Sequence, residues 1–178
     1  MKTIPVIGLS TFQHLKPGNL FYTAKRHQRG GDDTLIGIKG LMPDGAGLAP
    51  VAVILRKTGE HQQFGLVDPA EISTQAVDLG ATWTLKISTD PFQRIALDYA
   101  PDNTQLVAIE NKPGSAELYL KSIWAAPDNQ QDSMLTRLAD GATDFAHKFP
   151  PERVHIKSWQ IYIQSEGFPP QLVFDSHT

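Results

Sequence analysis

Thr82-Trp83-Thr84-Leu85-Lys86-Ile87-Ser88, followed across Thr89-Asp90-Pro91-Phe92 by Arg94-Ile95-Ala96-Leu97-Asp98-Tyr99, is the stretch on which the fold class turns. Trp83, Leu85 and Ile87 alternate with Thr84 and Lys86, and Ile95, Leu97 and Tyr99 alternate with Ala96 and Asp98. Successive side chains of an extended strand point to opposite faces, so this period of two gives each segment one apolar and one wet face. Asp90-Pro91 between them favours a chain reversal. The pair reads as antiparallel strands.

The same rhythm continues outward. Downstream, Leu106 to Glu110 and Glu117 to Trp124 flank the turn Lys112-Pro113-Gly114-Ser115. Upstream, Thr58-Gly59-Glu60 folds Gln63 to Val67 back onto Val51-Ala52-Val53-Ile54-Leu55, a run apolar on both faces and therefore expected to be central and covered on both sides. Before it lie the Gly/Pro loop of residues 42–47, a strand over Thr34 to Lys39, and Leu20 to Thr23 after Lys16-Pro17-Gly18-Asn19. Met1 to Leu9 reads as a first strand: Pro5 and Gly8 interrupt its apolar run, unlike a secretory leader. Turn signals this closely spaced, between segments rich in β-branched and aromatic residues, mark a meander that closes into a sandwich or barrel.

The period changes after Asp128. Met134, Leu135, Leu138, Ala142, Phe145 and Phe149 fall on one stripe at helical spacing, and Pro150-Pro151 stops it. This predicts an α-helix over residues 131–148, capped by Asp128 or Ser133, in which Gly141 costs about 1 kcal/mol relative to Ala. Val154 to Ile163, whose apolar residues change face near Ser158, and Leu172 to Phe174 are expected as closing strands, the former with a bulge or buried on both sides. The expected fold is mainly β, leaning to α+β: an antiparallel β-sandwich or flattened barrel of about nine to eleven short strands with one α-helix packed on it, a single domain over 1–178.

Composition sets limits on function. A chain of 178 residues with 40% hydrophobic and 20% charged residues can bury an ordinary core. The absence of Cys excludes disulfides, thiol nucleophiles and zinc ribbons. No apolar run reaches the length that crosses a bilayer as a helix, so a soluble, cytoplasmic protein with no membrane partner is expected. The formal charge of −3 is uneven: residues 1–89 carry nine Lys/Arg against seven Asp/Glu, residues 90–178 seven against twelve. An acidic whole argues against general nucleic-acid binding.

Several groups are candidates for chemistry. Lys25, Arg26, His27 and Arg29, followed by Gly30-Gly31, are suited to an anion, although Asp32 and Asp33 offset the charge and a solvated hairpin tip explains them equally. The glycines at 37, 40, 45 and 47 precede a strand rather than a helix, which excludes a phosphate-cradling loop. On a helix, Asp140, Asp144 and His147 would share one face, yet Asp144 is also placed to pair with Lys148, and no metal site is expected. None of the six histidines stands in an HExxH, HxH or HxD spacing and there is no GxSxG elbow, which removes the common zinc hydrolases and serine hydrolases. Trp83 belongs to a core face, whereas Trp124 and Trp159 are candidate contacts for a ligand or partner.

These exclusions point to a non-catalytic binding or interaction protein acting through loop and sheet-surface contacts, with a protein partner or homo-oligomer and no cofactor. One alternative is a small enzyme or ligand carrier with an internal polar pocket anchored by His61, Asp98 or His155. Another is an anion or nucleic-acid binder working through residues 25–29.

Overall fold

The computed structural model describes residues 9–26, 32–57, 65–67, 75–80, 82–87, 106–125, 131–151, 153–156, 158–164 and 167–176. In chain order the strands are β1 (Leu9–Thr11), β2 (Leu20–Arg26), β3 (Asp32–Pro43), β4 (Leu48–Lys57), β5 (Leu66–Val67), β6 (Gln75–Gly80) and β7 (Trp83–Ile87). They continue with β8 (Leu106–Lys112), β9 (Ser115–Ala125), β10 (Gln131–Arg137), β11 (Thr143–Phe145), β12 (Val154–Ile156), β13 (Trp159–Ile163) and β14 (Gln171–Asp175). Two short 3-10 turns, Phe12–His14 and Ala146–Lys148, follow β1 and β11.

The protein is mainly β, with antiparallel ladders that curl into a half-barrel. A six-stranded sheet runs β1-β6-β2-β3-β4-β5, a five-stranded sheet β11-β10-β9-β8-β12, and a three-stranded sheet β14-β13-β7. One core cluster draws on all three: Leu20, Ile38 and Val53 from the first, Leu106, Leu120 and Met134 from the second, Trp159, Ile161 and Phe174 from the third. Alternation explains the division of labour. In β4, Val51, Val53 and Leu55 face this core while Ala52 and Ile54 face a second cluster with Phe12, Leu15 and Phe21, so the all-apolar run is covered on both sides. Trp83 is half-buried against the shared core.

Lys39 shows what the second cluster demands of a charge. It is 4% exposed, and its Nζ donates to the carbonyls of Phe12 (3.1 Å), Gln13 (2.8 Å) and Leu15 (2.7 Å). Burial lowers its pKa from the ordinary value. A buried ammonium is tolerable when acceptors surround it, and here they are three carbonyls from the short 3-10 turn and the residue that ends it.

The α-helix expected over 131–148 does not form. The segment is instead a hairpin, β10 to β11, with Met134↔Phe145, Leu135↔Asp144 and Thr136↔Thr143 in register. Met134 and Leu135, neighbours on the apparent helical stripe, are both fully buried because β10 is covered on both faces: Met134 joins the shared core, Leu135 a third cluster with Val107, Ile109 and Tyr119. Thr136 and Thr143 are buried with their hydroxyls 2.9 Å apart. Gly141, at φ +74°, makes the reversal. Ala142, assigned to the core by helical spacing, is exposed.

Two further readings are corrected. Val154–Ile163 is not one bulged strand: the chain leaves the five-stranded sheet after β12 and joins the three-stranded sheet as β13, which accounts for the change of face near Ser158. The strands among the described residues exceed the expected number, because β1, β5, β11 and β12 are two or three residues long and too short to show a period. The strand expected over Ile95–Tyr99 lies outside the described residues. No helix among the described residues is long and apolar enough to cross a membrane.

Candidate functional site

Sheet one and sheet two meet where β3 passes β11. The Leu41 amide donates to the Gly141 carbonyl at 2.9 Å, and Leu41 and Ala142 form an isolated parallel bridge. Beyond this seam the two strands diverge, because β3 runs on into its hairpin with β4 while β11 turns away into Ala146–Lys148. The divergence opens a groove of about 520 Å3.

One wall comes from Pro17, Leu41, Pro43 and Leu48. Leu48 stands at the lip, 64% exposed. It is held there by the tight reversal of the β3–β4 loop, in which the Asp44 side chain accepts a hydrogen bond from the Ala46 amide at 3.1 Å. The other wall is Ala142, Thr143 and Asp144 of β11, and the rings of Tyr119 and Phe149 close the end. Those rings meet edge to face at 5.1 Å.

The polar floor is a chain of paired charges. Arg137 donates from Nε to Asp140 Oδ1 at 2.9 Å and from Nη2 to Asp140 Oδ2 at 2.5 Å, a bidentate fork, and its Nη1 lies 3.6 Å from Glu117 Oε1. Tyr119 in turn donates to Glu117 Oε2 at 2.7 Å. The hydrogen bond from Arg137 holds the Asp140 carboxyl below its ordinary pKa, and the same contact raises that of Arg137. At Asp144 burial opposes ionisation, but the Lys148 ammonium at 2.7 Å and the Phe145 amide at 2.8 Å outweigh it and the pKa is lowered. These carboxylates are thus ionised and paired at neutral pH. A general acid or base needs a pKa near the working pH, which neither Asp140 nor Asp144 has.

Sequence reasoning placed its candidates elsewhere. Trp159 is 2% exposed and packs on Phe174 with ring centroids 4.6 Å apart; it is a core residue with no face for a partner, a correction to the expected contact. Trp124 is half-buried beside Phe145 at 6.4 Å, on the core side of β9, and keeps part of its surface. Lys25 and Arg26 lie in β2, in backbone register with Asp33 and Asp32 of β3; His27 and Arg29 lie outside the described residues. His155 is buried in β12 with neither ring nitrogen hydrogen-bonded, and it does not line the groove. His61 and Asp98 lie outside the described residues. The Asp140, Asp144, His147 triplet does not assemble: Asp140 caps the β10–β11 turn, Asp144 pairs with Lys148, and the exposed His147 stacks on Phe145 at 5.4 Å. Among the described residues no group of three His, Asp or Glu converges on a metal position.

Of the groove residues, only Asp140 and Asp144 were candidates in the sequence; Leu41, Pro43, Leu48, Arg137 and Phe149 are among those missed. Leu48 had a signal, being a large apolar residue directly after a Gly/Pro/Asp loop. Arg137 and Phe149 had none, because a helical reading sends them to different faces.

Compared with protein-family models, curated proteins and solved structures, the chain matches none.

Proposed function

We propose that this is a non-catalytic binding protein whose ligand seats in the groove between the β3–β4 hairpin and β11. The observation that carries this is the groove's combination of a ligand-sized volume, about 520 Å3, with largely apolar walls and a floor of ion-paired side chains. Small-molecule sites typically measure about 300–1,000 Å3, are mainly apolar, and contain a few fixed polar groups that orient the ligand. The chemistry that fits is a compact apolar body bearing a hydrogen-bond donor or a cation. Asp144 Oδ1 is engaged by Lys148 and the Phe145 amide, which leaves Oδ2 to accept from a ligand. A single-domain, soluble, cytoplasmic protein is part of this reading, and the core cluster shared by all three sheets supports the first of these. Trp124 keeps enough surface for a protein partner to extend the contact.

Phenethylamine, an aromatic ring with an ammonium group, is a suitable probe. Titrated into 15N-labelled protein, it should shift the amides of Leu41, Leu48, Ala142 and Asp144 together and saturably. Ala142→Trp places an indole in the groove from an exposed position, and should abolish those shifts while leaving the melting temperature within a few degrees. Shifts scattered over the surface, or a response that persists in Ala142→Trp, would remove the groove from consideration.

A further inference from the structure

On the five-stranded sheet, the face turned away from the shared core carries a second group of side chains that the groove does not use. His155 lies directly opposite Val107 in the β12–β8 ladder, and facing partners in an antiparallel pair project to the same side. Val107 belongs there to a cluster with Ile109, Leu135 and Tyr119, the last of which also lines the groove. The imidazole is 3% exposed, and neither Nδ1 nor Nε2 has a hydrogen-bond partner. A neutral imidazole carries one donor and one acceptor, and each is costly to bury without a partner.

Arg153, two positions earlier, is in a matching state. Its Nε donates to the Pro150 carbonyl at 2.8 Å, and its Nη2 to the carbonyls of Ala146 and Phe149, which fastens the 146–150 segment over the sheet. Its Nη1 is buried and makes no hydrogen bond. No carboxylate among the described residues lies within ion-pair distance of this guanidinium. Lys121 of β9 adds a third positive group: burial, then the charges of Lys121 and Arg153, lower the His155 pKa from its ordinary value. Among the described residues, the neighbourhood therefore combines unsatisfied donors with positive charge that has no counter-ion.

We infer that this face holds a second binding site, for a small oxyanion such as a phosphate or a carboxylate, with Arg153 Nη1 and the His155 ring as donors and Lys121 as the third cation. A buried water would satisfy hydrogen bonds but leave the charge uncompensated, and a metal cation would meet Lys121 and Arg153 as like charges. An oxyanion answers both deficits, and charge-assisted bonds to it are roughly twice as strong as neutral ones. Binding and protonation are then coupled. An anion that favours His155 in its charged form raises the histidine pKa, so by linkage it binds more tightly as pH falls.

The test is a titration of the full chain with inorganic phosphate in one arm and acetate in the other, ionic strength held constant with chloride. The readout is the His155 ring resonances and their pH profile. Expected are a saturable shift, an upward move of the His155 titration, and affinity that rises at least several-fold between pH 7 and 5.5. Response in both arms assigns a site for any oxyanion; response to phosphate alone assigns a phosphoryl group. Arg153→Lys should weaken binding about tenfold or more by losing the fork, and Lys121→Met, a partly exposed change that leaves the fold intact, should weaken it several-fold. Ala142→Trp should have no effect here, which separates this site from the groove. Resonances that stay still in both arms, that respond equally to chloride, or that shift undiminished in both Arg153→Lys and Lys121→Met would overturn the inference.

Discussion

At Gly141 the backbone holds φ +74° while β3 and the loop before β2 press against it. A Cβ at this position would run into the Lys39 carbonyl oxygen and come within 2.6 Å of the Gly18 nitrogen, and both are main-chain atoms that cannot swing aside. Gly45, at φ +59°, has open space around the same hypothetical atom. Left-handed backbone alone costs a residue with a side chain about 1–2 kcal/mol. Gly45→Ala should therefore lose about 1 kcal/mol and Gly141→Ala at least about 3 kcal/mol in urea denaturation. Similar losses at the two sites would mean that the sheets do not meet at residue 141.

His155 gives a second prediction at this scale, in pH. Its folded pKa lies below the ordinary 6.5, so as pH falls through 6.5 the unfolded chain takes up the proton first. The folded state should lose stability from that point downward, until the buried ring itself protonates, by about 1.4 kcal/mol for each unit separating the two pKa values. Urea titrations at pH 7.5 and 5.5 should show this loss in the native chain and a smaller one in His155→Leu. An equal pH dependence in both proteins would contradict it. Phosphate in the buffer should also reduce the loss, if the oxyanion site operates.

The segment from Gln131 to Phe149 explains why one element was misread. Met134, Leu135, Leu138, Ala142, Phe145 and Phe149 satisfy a helical stripe, but a hairpin buried on both faces also brings consecutive apolar residues inside, and a four-residue turn shifts the pattern by about one helical turn. Periodicity cannot separate the two. Gly141 was the discordant signal, unfavourable in a helix and required at the reversal. The strand and helix readings differ most at two adjacent residues. Helical spacing buries Ala142 and exposes Thr143, whereas Thr143 is 3% exposed and Ala142 open. Thr143→Lys should cost at least about 3 kcal/mol through burial of an unpaired charge, and Ala142→Lys less than about 1 kcal/mol, by thermal or chemical denaturation. The reverse order would restore the helix.

For the molecule as a whole, the alternation of Trp83, Leu85 and Ile87 and the unbroken apolar run of β4 were legible because strand period and burial depend on neighbouring residues only. Sheet membership was not: β12 and β13 are separated by two residues yet belong to different sheets, a choice made by the shared core. The groove was illegible for the same reason, being assembled from positions as distant as Pro17, Leu48 and Phe149. Its candidates had been sought among histidines, tryptophans and basic runs, residue types conspicuous on their own, whereas the walls are ordinary Leu, Pro and Ala made distinctive by where two sheets part.

The fold and the groove both depend on the seam between β3 and the β10–β11 hairpin, and nuclear Overhauser contacts test it directly. The Hα protons of cross-strand neighbours in β10 and β11 should show mutual contacts, and the Leu41 amide, bonded to the Gly141 carbonyl, should be protected from exchange and close to the Gly141 and Ala142 protons. A continuous run of sequential amide–amide contacts from residue 131 to 148, with a freely exchanging Leu41 amide, would contradict the account.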